Sequence, residues 1–251
     1  MDESRFHECL EADYRRLREV AAGALGETVP SCPGWTGADL ANHVAEVYLH
    51  KTEIMRHGAE PHPWPPDLGG DPLAALDNAY RELISEFGAH KPDEPTPSWY
   101  EGTQTVGWWL RRMAQETVIH RVDAELAAGA ELTPIPADLA ADGIDEVLVC
   151  FLAYGTTAYP EYVADHIAAC DGDTVRIDVP EASWLVQLGP DVVTVEPVDA
   201  GAGADTDAVL RGSADAVLRW LWRRAGNDAV EPDGNRAAVG KLHNLLGVVE
   251  Q

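Results

Sequence analysis

Glu116 and His120 stand four residues apart in the segment Trp108-Trp-Leu-Arg-Arg-Met-Ala-Gln-Glu-Thr-Val-Ile-His-Arg121. On an α-helix such a pair projects from one side. Val106, Leu110, Met113, Thr117 and Ala124 form an apolar stripe beside it, so His120 falls within the apolar face and Glu116 at its margin. A carboxylate turned toward a core is costly unless a cation or hydrogen-bond donors compensate it. A carboxylate and an imidazole from one helix are also the kind of pair that inward-facing metal sites of helical bundles use. The pair therefore reads either as half of a metal site or as a core histidine hydrogen-bonded to its neighbouring carboxylate.

A second group of polar residues follows the turn Pro30-Ser-Cys-Pro-Gly-Trp35. Thr36, with Asp39 three positions on, is a capping-box-like helix start, while Pro30, Pro33 and Gly34 keep the preceding chain out of the helix. From Thr36 the helix can run to His57. Asp39, His43, Glu46 and His50 fall along it at helical intervals as one continuous polar stripe. By itself such a stripe reads as a solvated face.

The chain resembles the mycothiol-dependent maleylpyruvate isomerase family, a branch of the DinB-like four-helix bundles. The resemblance is carried by Cys32-Pro-Gly-Trp35 through His43, by Trp109 through Glu125, and by Trp184-Leu-Val-Gln-Leu-Gly-Pro190, Val209-Leu-Arg-Gly-Ser213 and Leu218-Arg-Trp-Leu-Trp222. It implies that His43, Glu116 and His120 ligate one divalent metal, usually zinc, and that the small thiol mycothiol is the cosubstrate. Two imidazoles and a carboxylate are a common protein set for catalytic zinc, with the fourth position left for water or substrate. A thiol at that position is deprotonated, and the thiolate is the nucleophilic form. Asp39, one turn before His43, is either a residue that orients its imidazole or a plain cap carboxylate. Gln115 and Val122 stand where the family often shows histidine and tryptophan; these departures leave the ligand set intact but weaken transfer of the organic substrate.

Eighteen basic against forty-three acidic side chains give a formal charge of -25 over 251 residues, which disfavours nucleic acid and anionic membranes as partners. A small anionic electrophile such as maleylpyruvate would need local positive charge. Arg111, Arg211 and Arg223 are the candidate substrate-positioning residues, since the planar guanidinium makes paired hydrogen bonds to carboxylate; Arg112, Arg219 and Arg224 lie beside them in sequence. Cys9, Cys32, Cys150 and Cys170 are widely spaced and read as reduced thiols, without a zinc ribbon or dithiol motif. The amino-terminal residues lack a basic region followed by an apolar run, and the longest uncharged stretch, Val147 to Pro160, is too short to span a bilayer. A cytoplasmic protein is expected.

The elements that must position these residues are helices at Glu3–Ala22, Thr36–His57, Pro72–Phe87 and Thr105–Ala128, joined by proline-rich connections. A further helix is expected over Pro136–Ala153. From about Asp173 the pattern changes to short strands at Thr174–Val179, Ser183–Leu188 and Val192–Glu196, read as an antiparallel meander, with Thr206–Leu210 able to add a strand. Helices at Ser213–Arg224 and Arg236–Leu246 complete the chain, and Asp199 to Asp205 form a small-residue loop. The expected fold is α+β in two domains: a DinB-like metal-binding four-helix bundle over residues 1–165, and over 166–251 a small antiparallel sheet with helices, for which the resemblance implies a sterol-carrier-like domain. Trp184, Trp220 and Trp222 read as core aromatics.

Such a site is compatible with thiol-dependent isomerisation, with stable S-transfer, and with hydrolysis by zinc-bound water. A non-catalytic small-ligand-binding protein is the alternative if His50 or Cys32 closes the fourth metal position. The oligomeric state is not written in the sequence.

Overall fold

The computed structural model describes residues 1–199 and 206–249. By internal packing the chain divides into two compact units, Met1–Thr133 and Pro134–Gln251.

The first unit is an all-helical bundle of α1 (Glu3–Ala21), α2 (Gly37–His57), α3 (Pro72–Ala89) and α4 (Val106–Ala128). Each start is capped by a side chain, at Thr36 as the sequence predicts. Asp2 accepts from the Arg5 amide, Asp71 from those of Leu73 and Ala74 ahead of Pro72, and Thr105 from that of Trp108. Thr36 and Asp39 close a reciprocal capping box. Gly58 and Gly129 end α2 and α4 in the left-handed region, at φ 64° and 60°, where a side chain would be strained. Packing is most extensive between α1 and α4 and between α2 and α3. Leu10, Leu17, Leu40, Val44, Leu76, Leu83, Met113 and Val118 are fully buried, each leucine contributing on the order of 2 kcal/mol.

α4 lies at the centre and is buried almost all the way round. Its interior positions include Arg112, Gln115, His120, Arg121, Asp123 and Glu125, so charged groups enter the core and must find partners there. On the side facing α1, Arg121 donates from Nε to Asp13 (3.0 Å) and from Nη1 to Glu125 (2.8 Å), and Arg16 donates to the other Glu125 oxygen at 2.8 Å. Facing α2, the Tyr48 hydroxyl meets Thr117 Oγ1 at 2.6 Å, and Thr117 donates to the Met113 carbonyl. The Tyr48–Thr117 contact ties the register of α4 to α2, and the Arg121–Asp13 pair holds its opposite side against α1.

In the second unit, α5 (Ala137–Asp145) continues through the π-helical segment Glu146–Ala153 into α6 (Tyr154–Ala158), followed by α7 (Pro160–Ile167). A five-stranded sheet has the order β3-β2-β1-β4-β5, with β1 Thr174–Asp178, β2 Ser183–Leu188, β3 Val193–Pro197, β4 Ala208–Arg211 and β5 Glu231–Gly234. β1, β2 and β3 form the expected antiparallel meander, but β4 pairs with β1 in parallel, so the sheet is mixed. The helices α8 (Ala214–Leu221) and α9 (Arg236–Val249) pack with α5 and α7 respectively. That packing places residues 134–165, expected with the bundle, in the sheet-bearing unit. Trp184, Trp220 and Trp222 are buried, as expected of core aromatics. The small-residue loop beyond Asp199 lies outside the described residues.

The four cysteines are free, three of them buried. Among the described residues no helix is long and apolar enough to cross a membrane.

Candidate metal centre

The first unit brings its two polar stripes face to face. α2 contributes His43, and α4 contributes Glu116 and His120; one donor atom from each lies within 4.8 Å of the others. Glu116 Oε1 is 3.3 Å from His43 Nε2 and 3.1 Å from His120 Nε2. The two imidazoles meet edge to face at 4.9 Å between centroids, and the Trp35 indole lies 4.8 Å from the His43 ring. The Cys-Pro-Gly-Trp turn thus brings its tryptophan against the site.

Behind His120, its Nδ1 is 2.9 Å from Asp123 Oδ2. Asp123 also accepts from the Ser31 hydroxyl at Oδ1 and from the Cys32 thiol at 3.7 Å. A carboxylate fixed at Nδ1 leaves Nε2 as the nitrogen presented to the cluster, an arrangement that orients metal-binding histidines and raises their basicity. Glu116 Oε2 is held by the buried Arg112 guanidinium, one turn back on α4.

The electrostatics follow from this crowding. Burial alone would raise the Glu116 acid, but the charges of His120 and Arg112 and hydrogen bonds from both histidines outweigh it and hold Glu116 well below the usual carboxylate range. Burial would lower His120, yet Glu116 and Asp123 together push it up to about 9. Two imidazoles and one anionic carboxylate, with an orienting group behind one imidazole, suit a divalent ion such as zinc.

Other residues named from sequence are placed elsewhere. Asp39 serves the cap, its Oδ2 accepting from the Thr36 amide (2.8 Å) and hydroxyl (2.6 Å). His50 pairs with Glu60 at 2.9 Å and meets the Trp64 ring, and Cys32 faces Asp123, so neither joins the three donors. Of the neighbouring arginines, Arg112 reaches Glu116, whereas Arg111 occupies a half-buried position beside it. Arg211 and Arg223 belong to the second unit, where Arg211 faces Asp178 and Asp233 and Arg223 donates to the His243 carbonyl. Sequence reasoning missed Asp123 as the partner of His120, and Lys51, whose ammonium lies over the Trp109 ring at 4.8 Å. The signals were present: Asp123 follows His120 by three positions, and Lys51 follows His43 by eight.

Residues 6–125 match the family model described as the mycothiol maleylpyruvate isomerase N-terminal domain, a stretch that contains all three donors and Asp123. A crystal structure titled as the mycothiol-dependent maleylpyruvate isomerase superposes with a TM-score of 0.62 at 14% identity, covering 93% of each chain. A histidine-to-alanine mutant under the same name gives 0.61 at 14% identity, again covering 93% of each. At that identity the likeness shows that the fold is shared. No curated protein matches the sequence.

Proposed function

We propose, for a chain whose residues 6–125 belong to the family of mycothiol maleylpyruvate isomerase N-terminal domains, a metal-dependent enzyme that uses mycothiol as its thiol and a small electrophile such as maleylpyruvate as its substrate. The observation that carries this reading is the convergence of His43, Glu116 and His120 within 4.8 Å, with Asp123 fixed behind His120. A divalent metal held by these three, zinc being the natural choice for such donors, supplies a Lewis-acid position that keeps a thiol in its thiolate form at neutral pH.

The chain's own residues prepare that position. Arg112 and the histidines keep Glu116 anionic and therefore ready to ligate. Asp123 fixes the His120 ring, and the α2–α4 contact between Tyr48 and Thr117 holds His43 opposite. Catalysis would rest mainly on thiol activation and on placing the two reactants together. Thiolate addition to an activated double bond allows rotation before the thiol leaves, giving isomerisation; retention of the thiol gives S-transfer. Arg111 is proposed to position the substrate at this centre, and an alanine variant that raises KM without changing kcat would support it; Arg211 and Arg223 stay substrate-positioning candidates of the second unit, to be tested in the same way. The protein is proposed to act in the cytoplasm, where a small-molecule thiol is kept reduced.

The test is metal content of protein purified without chelator, for wild type and His43→Ala, followed by titration with mycothiol. About one zinc per chain, lost in the variant and perturbed by the thiol, supports the reading. If wild type neither carries nor takes up metal, a non-catalytic small-ligand-binding protein takes its place. Turnover that needs metal but no thiol would point to a hydrolase on the same bundle.

A further inference from the structure

Lys51 occupies the same side of α2 as His43, two helical turns along, with Val47 between them. Opposite, Trp109, Arg112 and Glu116 succeed one another at helical spacing on α4. The contacts of Tyr48 with Thr117 and of Lys51 with Trp109 show the two helices running in opposite directions, so both stripes lead away from the metal cluster the same way. The cluster stands at one end of this track and the Lys51 ammonium at the other, with Arg112 between.

What surrounds that ammonium is unusual for so acidic a chain. With 43 aspartates and glutamates available, the described contacts of Lys51 Nζ are the Trp109 ring face at 4.8 Å and His50 Nδ1 at 2.9 Å; no carboxylate ion-pairs with it. The nearest acidic group in that chain of contacts, Glu60, is engaged by the far nitrogen of His50. A half-buried cation that lacks an anionic partner is costly, and the cost is recovered when an anion arrives. Burial pushes the Lys51 amine down to about 8, with Glu116 and Glu60 opposing that fall and Arg112 adding to it, so the amine is still largely protonated near neutral pH.

We infer that Lys51 is a specificity-determining residue whose ammonium, flanked by Arg112, receives the carboxylate of an anionic electrophile whose reacting carbon lies toward the metal cluster. Eight helical residues correspond to about 12 Å of axial rise between His43 and Lys51, a span that an extended carboxylate-bearing molecule together with a metal-bound thiol would bridge. The half-buried Val47, between His43 and Lys51 on α2, would border its carbon skeleton, while the fully buried Trp109 ring backs the ammonium from within the core. This assignment rests on reading the triad as a catalytic metal site.

The test is calorimetric binding of maleate and of its uncharged analogue maleamide to the zinc-loaded protein, for wild type, Lys51→Met and Lys51→Arg. Wild type should prefer maleate. Lys51→Met should weaken maleate about thirtyfold, the size of a charge-assisted hydrogen bond, and abolish the preference, while Lys51→Arg should keep most of it. Equal affinity of wild type for the two probes, or a Lys51→Met variant that still prefers maleate, would overturn the assignment; so would equal loss in the arginine variant, which would mark a packing role. A parallel mycothiol titration separates the two readings: charge-selective maleate binding that depends on Lys51, in a protein that ignores the thiol, would retain Lys51 as an anion site and refute the thiol enzyme.

Discussion

His120 presents one nitrogen to Glu116 and rests the other, Nδ1, 2.9 Å from Asp123, three residues along the same helix. Asp123 in turn is held by Ser31 and Cys32 from the turn that precedes α2. Asp123→Asn keeps the shape but removes the charge that fixes the ring. It should lower zinc affinity by about 10- to 100-fold in a competition titration with a chromophoric chelator, with the thermal midpoint checked alongside. Unchanged affinity would remove Asp123 from the site.

The proton on His120 makes the metal-depleted protein sensitive to alkali. Burial opposes that proton, but Glu116 and Asp123 hold the folded value at about 9, above the ordinary 6.5. Because the folded value is the higher one, the imidazolium's contribution is complete below about pH 6.5 and is lost as pH rises through about 9. Urea unfolding of chelator-treated protein should show stability falling across that window by at most about 1.4 kcal/mol per pH unit, and His120→Gln should flatten the slope. Zinc affinity should climb over the same range, since ligation displaces that proton.

Arg121 is fully buried between Asp13 and Glu125. Arg121→Met leaves Asp13 without its counter-charge in the α1–α4 interface and Glu125 with Arg16 alone among its cationic partners. A loss of about 3 to 5 kcal/mol is expected in equilibrium unfolding. A loss below about 1 kcal/mol would mean that the carboxylates relax to water or protonate at little cost.

Gly37, the first residue of α2, has no room for a side chain: a Cβ there would meet the Ala24 carbonyl oxygen at 2.2 Å, a contact with backbone rather than with a flexible tip. Gly37→Ala must therefore push the start of α2 outward. The expected result is a loss of about 1 to 3 kcal/mol in unfolding free energy. Because His43 lies less than two turns away, weaker zinc binding should accompany it.

The four bundle helices could be placed from sequence to within a residue or two because their boundaries are written locally. Thr36 with Asp39, Asp71 before Pro72, and Gly58 and Gly129 each act through neighbours a few residues away. The Glu116–His120 pair was legible for the same reason, whereas His43 as a third donor depended on likeness to a family. What escaped was set by distant partners. Asp123 looks like any polar residue on a helix until the Ser31 turn is folded against it, and the choice between adjacent Arg111 and Arg112 depends on which one turns toward Glu116. The parallel pairing of β4 with β1 is a crossover that no alternation pattern encodes, and Glu231-Pro-Asp-Gly234 has no strand alternation at all. Likewise the apolar faces of α5 and α7 call for burial without naming α8 and α9 as the surfaces that provide it.

α4 is gripped from behind by Asp13 and from the front by Tyr48, through side chains that owe nothing to an ion. A helix clasped in this way behaves as a keyed shaft: it cannot turn, so Glu116 and His120 stay aimed whether or not the site is loaded. A metal held here would be cargo, unlike the zinc of a finger domain, which is a staple. Chelation should silence such a protein without unravelling it, and its working fraction would then follow metal supply, reversibly, on the timescale of loading and not of refolding.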